Sequence, residues 1–224
     1  PRPRQAFCLE CGSDGRAASL GRTGQAIIDQ RFDFDDYVQY LLGLLNLARP
    51  RVSVVLPNFN YARYLPQRIS SIVGQTRRPF EIIFLDDRSS DDSVAVASAL
   101  LQDSGIPHRI VVNESNAGCY AQWLKGMTLA RGELVWIAEA DDFCDARFLE
   151  VLTPAFNDPA LALAYCQSRQ VDGNGDLLRP DYRSYTDEVS RTKWLRPYKR
   201  LGVQEISDTL AVKNTIPNAS AVVM

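Results

Sequence analysis

Histidine is almost missing from this chain: His108 is the only one. That excludes a histidine-pair metal centre. It also weakens the CxxC formed by Cys8 and Cys11 in "CLEC", because no second CxxC or His pair follows to complete a zinc site. Net charge is scarce as well. The formal value is −2 over 224 residues, which argues against a nucleic-acid binder working through a basic surface. No apolar run approaches the roughly 20 residues needed to span a bilayer; "YLLGLLNLA", Tyr40 to Ala48, falls far short. No secretory leader stands out, so a cytoplasmic setting is expected. Finally, neither G-x-G-x-x-G nor a Walker A sequence follows the first strand-like run, which disfavours a glycine-cradled phosphate site.

What is present is ordinary for a globular protein: 46% apolar and 23% charged residues. The length allows one large domain or two small ones. Cys119, Cys144 and Cys166 stand in apolar or helical surroundings and read as small core residues. The chain starts "PRPRQ" without Met and stops at "SAVVM", inside a strand-like run, so a piece of a longer polypeptide is expected, with other domains as partners.

Periodicity divides the chain at about residue 50. Residues 1–50 read as an extension carrying one amphipathic helix, Asp33 to Leu47, with Tyr37, Tyr40, Leu41 and Leu44 at helical spacing. From 51 onward strand and helix alternate. "RVSVVLP" is a buried strand, and Leu65, Ile69, Ile72 and Val73 follow at helix spacing. "FEIIFLDD" is a second strand, and Ser89 to Leu101 a helix with a Ser cap. "HRIVV" is a third strand. The helix Cys119 to Gly132 after it places Tyr120, Trp123, Leu124 and Met127 on one face. "ELVWIAE" is a fourth strand, followed by a helix at Ala146 to Phe156 and a strand at Leu161 to Cys166. A turn at Val171 to Asp176, a helix at Gln204 to Lys213 and a final strand complete the pattern. This is an α/β domain with a mainly parallel sheet. Ligands of such sheets bind beyond the carboxyl ends of the strands.

Three polar clusters fall at those ends: "PNFN", "DDRSSDD" and "EADD". In "EADD", strand alternation would put Glu139 and Asp141 on one face and Ala140 and Asp142 on the other. Two carboxylates on one face repel unless a cation lies between them, and Mg²⁺ or Mn²⁺ suits hard oxygen donors. A solvated acidic loop or a helix cap explains the same spacing without a metal. In the second cluster, Asp91 and Asp92 fit a helix N-terminus. Asp86 and Asp87 precede the helix, where a carboxylate can accept from the N–H and hydroxyl groups of a nucleoside. Phe59 reads either as an aromatic wall of that site or as core.

The run "VSVVLPNFNYARYLPQRISSIVGQTRRPFEIIFLDDRSSDDS" and the later "NAGCYAQWLKGMTLARGELVWIAEADDF" resemble the family-two glycosyltransferases, inverting enzymes of GT-A fold that use nucleotide-sugars. The resemblance covers about residues 52–170, with several motifs in order. It implies a GT-A, Rossmann-like domain over 51–224. It implies that Pro57 and Phe59 line the nucleotide base, that Asp87 binds the base, and that Asp86 belongs to the same nucleotide set by buttressing the loop. Glu139 and Asp141 take the place of that family's D-x-D pair, with Asp141 the direct ligand of Mg²⁺ or Mn²⁺ and Glu139 on the nucleotide side. Glu139 stands where the first Asp is usual, and Arg88 where Gly usually follows "DD". The implied activity is transfer of a sugar from a nucleotide-diphosphate-sugar donor to a glycan or lipid-linked acceptor in surface polysaccharide synthesis. The site would sit in the cytoplasm or at the inner face of the membrane. The acceptor side would come from the Arg/Tyr/Trp-rich stretch with Arg183, Tyr185, Trp194 and Tyr198, though an exposed loop with ordinary packing aromatics explains the same stretch. The base that deprotonates the acceptor matches none of Asp187, Glu188, Glu205 and Asp208 and is expected beyond Met224. A non-catalytic domain that binds nucleotide-sugar or scaffolds a larger protein is the competing reading. A nucleotidyltransferase is disfavoured, because "PNFNYARYL" lacks a glycine- and basic-rich loop.

Overall fold

β1, Val52–Asn58, is buried at every position. A strand covered on both faces needs apolar residues without alternation, which is why this run reads as continuously hydrophobic. The computed structural model describes residues 49–216 and 218–224, and Pro50–Met224 forms one compact unit. The helix expected over Asp33 to Leu47, and the Cys8–Cys11 pair, lie outside the described residues.

β1 pairs in parallel with β2, Glu81–Asp86, and with β4, Leu134–Ile137. β2 pairs in parallel with β3, His108–Val112. Two short strands, β5 (Ala164–Tyr165) and β8 (Val222–Val223), extend the sheet antiparallel beyond β4. The six-stranded order is β3-β2-β1-β4-β8-β5. A separate hairpin joins β6, Gln170–Val171, to β7, Leu177–Arg179. The mainly parallel α/β sheet matches the sequence expectation. The strand expected over Leu161 to Cys166 shortens to two residues, which pair with the two-residue β8, its sheet partner among the described residues.

Alternate residues of β1 point to opposite faces. Val52, Val54 and Leu56 join a core with Leu65, Ile69 and Ile72 of α1 (Leu65–Val73), Ala97 and Leu101 of α2 (Ser93–Gln102), and Phe148 and Leu149 of α4 (Phe148–Leu152). Val55 joins Ile83, Leu85 and Ile137 on the other face, under Trp123 and Met127 of α3, Cys119–Leu129. Helices thus cover both faces of the sheet.

Several local expectations shift. α2 starts at Ser93 after Asp92, which makes no side-chain capping bond. Ser89 is spent elsewhere, donating to Asp86 at 2.6 Å. Along α3, Tyr120 and Leu124 are exposed, while Gln122 and Gly126 are buried. The buried seam is therefore Gln122–Trp123–Gly126–Met127, one step round from the expected face. α4 ends at Leu152, and a 3₁₀ turn, Thr153–Asn157, holds the rest of the expected helix. The helix expected over Gln204 to Lys213 is one α-turn, Gly202–Glu205, running into a π-turn, Ile206–Leu210. Cys119 is exposed, and Cys144 and Cys166 are half-buried, so none is a fully enclosed core thiol.

Gly126 is where α3 touches the sheet. A Cβ built there would lie 2.2 Å from Val55 Cγ1, and Val55 is fully buried with no room to retreat. Ala is the better helix former by about 1 kcal/mol, but overpacking costs about 1–3 kcal/mol. Gly126→Ala is therefore expected to lower stability, read as a reduced midpoint in urea at unchanged slope. Arg88, after β2, gives the opposite case. It holds φ 66, a left-handed conformation that costs a non-glycine residue about 1–2 kcal/mol. Arg88→Gly removes that cost and adds about 0.5–1 kcal/mol of chain entropy loss. The same urea measurement is expected to show a small gain in stability.

Candidate active site

The register of β1 with β2 and β4 brings three strand ends together. Asn58 lies opposite Asp86, and Val55 opposite Ile137. Beyond these ends is an open cleft of about 350 Å³, lined by Pro57 at the end of β1, Phe59 and Tyr61 after it, Asp87 after β2, Asn116, Gly118 and Gln122 around the start of α3, and Glu139 after β4. Of the residues expected at the site, Pro57, Phe59, Asp87 and Glu139 share this cleft. Asp86 and Asp141 are not among its lining residues.

Asp86 is fully buried. Its carboxylate accepts from Asn58 Nδ2 at 2.9 Å and from the Ser89 amide and hydroxyl at 2.8 and 2.6 Å. It ties the end of β1 to the loop after β2. Asp87 holds the loop before α3. It accepts from Asn113 Nδ2 at 2.7 Å, from the Ala117 amide at 2.9 Å and from the Gly118 amide at 2.8 Å. Burial pushes the Asp87 carboxyl up, but these donors and the Lys125 charge outweigh it and leave the group below its ordinary value. Lys125 reaches this cluster through Asn113 Oδ1 at 2.5 Å. The start of α3 would attract an anion, and a protein carboxylate already occupies that position.

The acidic loop departs from strand geometry. β4 ends at Ile137, and the Asp142 amide donates back to the Glu139 carbonyl at 3.2 Å, closing a turn. Strand alternation therefore does not apply to Glu139, Asp141 and Asp142. Glu139 is pinned from two sides: its carboxylate accepts from Trp123 Nε1 at 2.5 Å, and its amide donates to Ser220 Oγ at 2.9 Å. Burial, then the neighbouring acids, push its carboxyl up. Asp141 is raised the same way, by burial first and by Asp142 next. Tyr61 borders this group, and the Asp141 charge raises its phenol.

These carboxylates fit a divalent cation. They are hard oxygen donors, crowded, partly desolvated and mutually repelling, the state a dication relieves. Among the described residues no three His, Cys, Asp or Glu side chains are gathered around one point. Mg²⁺ sites that bind substrate phosphates need only one or two carboxylates.

Sequence reading missed Tyr61, Gln122 and Ser220, and it placed Trp123 only in a helix face. The Asn116–Gly118 segment was visible as a motif without an assigned role. Ser220 had no signal, since its approach to Glu139 depends on β8 pairing beside β4. The acids Glu188, Glu205 and Asp208 are paired with Lys213, Lys193 and Arg200 respectively. Neither these nor Asp187 line the cleft, and the same holds for Arg183, Tyr185, Trp194 and Tyr198. Trp194 instead donates to Tyr165 Oη at 3.0 Å.

Comparison with known proteins gives a consistent result. The chain is 31% identical over 129 residues to an uncharacterized glycosyltransferase of Nostoc sp., a match covering 57% of this chain and 39% of that protein. It is 28% identical over 136 residues to the chondroitin synthase of Escherichia coli, covering 59% of this chain and 19% of the synthase. The chain thus spans less than two fifths of the length of these relatives. In fold it is similar to the mannosyltransferase PcManGT of Pyrobaculum calidifontis, solved in complex with GDP-Man and Mn²⁺. The TM-score is 0.51 at 23% identity, covering 56% of this chain and 37% of that one. The family model for glycosyl transferase family 2 matches residues 53–214. With its parallel sheet, its cleft at the carboxyl ends of β1, β2 and β4, and this match across most of its length, the chain belongs to glycosyltransferase family 2.

Proposed function

We propose that the cleft binds the nucleotide-diphosphate part of a sugar donor, for inverting transfer of the sugar to a glycan or lipid-linked acceptor in polysaccharide synthesis. One observation carries the reading: Phe59, Asp87 and Glu139, from the ends of three different strands, meet in one cleft. Phe59 is 44% exposed despite being a large apolar residue, so its ring offers a face on which a base can stack. Asp87 accepts from three protein donors, and a carboxylate has about four lone-pair sites. Its remaining capacity serves an N–H of the base, while its bonds to Ala117 and Gly118 fix the wall against which the base rests. Glu139 and Asp141 hold Mg²⁺ or Mn²⁺ with the donor diphosphate, Asp141 as direct ligand. When bound, that ion offsets charge building on the leaving diphosphate. Trp123 and Ser220 keep Glu139 from turning away. Relatives named for polysaccharide synthesis, the chondroitin synthases among them, support the acceptor class.

Two measurements test this. A nucleoside diphosphate is expected to raise the melting temperature more with Mn²⁺ than with EDTA, because a ligand of the folded state stabilises it by mass action. Asp141→Ala is expected to remove the difference, and equal shifts in wild type under both conditions would sink the metal role. The second concerns the base. Asp87→Ala is expected to weaken nucleotide binding by about 1–3 kcal/mol, since a donor of the base loses its acceptor. Asp92→Ala, at the α2 N-cap and away from the cleft lining, is expected to leave binding unchanged in calorimetric titration. Equal affinities for the two variants would show that Asp87 does not touch the base.

A further inference from the structure

Arg68 is the largest polar side chain enclosed in the core. It sits on the apolar stripe of α1 between Leu65 and Ile72, with 0% exposure. Nε, Nη1 and Nη2 all lack a hydrogen-bond partner. A guanidinium presents five N–H donors, and leaving a charged group buried and unsatisfied is among the costliest arrangements in a fold. The ring of Trp136 lies against it, 5.0 Å from the guanidinium carbon to the ring centroid, and the Cys144 thiol is beside it.

Two features show what this cation faces. Burial pushes the Arg68 guanidinium down from its ordinary value, and the groups that oppose this are Cys144, Asp142, Glu139 and Asp141. Cys144 drops out at neutral pH, because burial pushes its thiol up and keeps it protonated. The acids of the 139–142 loop remain. The second feature is mechanical. Trp136, which carries Arg68 on its face, donates from Nε1 to the Ser220 carbonyl at 2.8 Å. The Ser220 hydroxyl in turn accepts from the Glu139 amide at 2.9 Å. Arg68, Trp136 and Ser220 form one connected stack that ends on Glu139 of the acidic loop.

We infer that Arg68 is a positioning residue for the acidic loop: a fixed cation beneath β4 that offsets one of its three carboxylate charges and sets Glu139 and Asp141 in place for the metal–diphosphate of the donor. The inference rests on the donor-site reading above. With one of three negative charges offset, the loop keeps enough negative charge to attract a divalent ion and leaves part of that ion's charge for the diphosphate. An apolar residue would fill the same space at lower cost, since replacing a buried charge by a well-packed hydrophobic side chain is often neutral or stabilising. Arg68 is a cost to the fold, and the loop above it is the part that gains.

The test uses the full chain with Mn²⁺ and either UDP or GDP. Free Mn²⁺ is followed by its electron paramagnetic resonance signal, and melting temperatures are taken without ligand. Arg68→Met is expected to melt at or above the wild-type temperature yet bind Mn²⁺–nucleotide at least about tenfold more weakly, the scale of losses when a group supporting metal ligands is removed. Arg68→Lys, which keeps the charge, is expected to recover most of that binding. Arg68→Gln, uncharged but polar, is expected to behave like Arg68→Met. A folded uncharged variant with wild-type Mn²⁺–nucleotide affinity would overturn the inference and leave the donor-site reading intact. Failure of both uncharged variants to fold would also overturn it, assigning Arg68 to the fold instead. Failure of wild type itself to bind Mn²⁺ with either nucleotide would strike the donor-site reading, and is seen before any variant is made.

Discussion

β1 lies between β2 and β4, parallel to both, and the rest of the site follows from that pairing. A parallel neighbour cannot be reached by a tight turn, so each crossover must carry the chain back across a face of the sheet. The helices that do this bury both faces. Because β1 to β4 run the same way, the loops that leave their carboxyl ends gather at one edge. Phe59, Asp87 and Glu139 are separated by 28 and then 52 positions in sequence, and they share one cleft only because three strands end side by side.

The same pairing sets how closely α3 approaches. Val55 faces α3 from the centre of β1, and Gly126 lets the helix backbone come down onto it. That contact fixes the height of the α3 N-terminus over the sheet, where the Ala117 and Gly118 amides meet Asp87. A carboxylate that could have served a ligand alone is therefore also a structural clamp. The two roles are compatible because a carboxylate has more lone pairs than the clamp uses.

Charge is arranged differently on the two sides of the cleft. On the β2 side, each acid is matched: Asp86 by Asn58 and Ser89, Asp87 by amides and Asn113. Hydrogen bonds there offset burial and hold Asp87 ionised. On the β4 side, Glu139 is raised by burial and by Asp141 and Asp142, and Asp141 by burial and by Asp142. The fixed compensation comes from Trp123 and from the enclosed Arg68. One side is complete in itself; the other has charge left over for a ligand to neutralise.

The sequence by itself determined the class of fold and the identity of the clusters. Continuous apolar runs marked strands buried on both faces, and polar residues at their ends marked the edge where the cleft opens, because both signals are local. Arg68 drew no reading from the sequence, although it stands on the stripe of Leu65, Ile69 and Ile72, because nothing local says that it is buried or what it faces. Tertiary structure alone decided that β4 stops at Ile137, so that the acids sit on a turn and lose strand alternation. It alone chose Gln122 and Gly126 over Tyr120 and Leu124 as the buried seam of α3, and it alone brought Ser220 under Glu139. These are contacts between residues far apart in the chain. They are set by which strands pair and how closely helices pack, and periodicity carries no record of either.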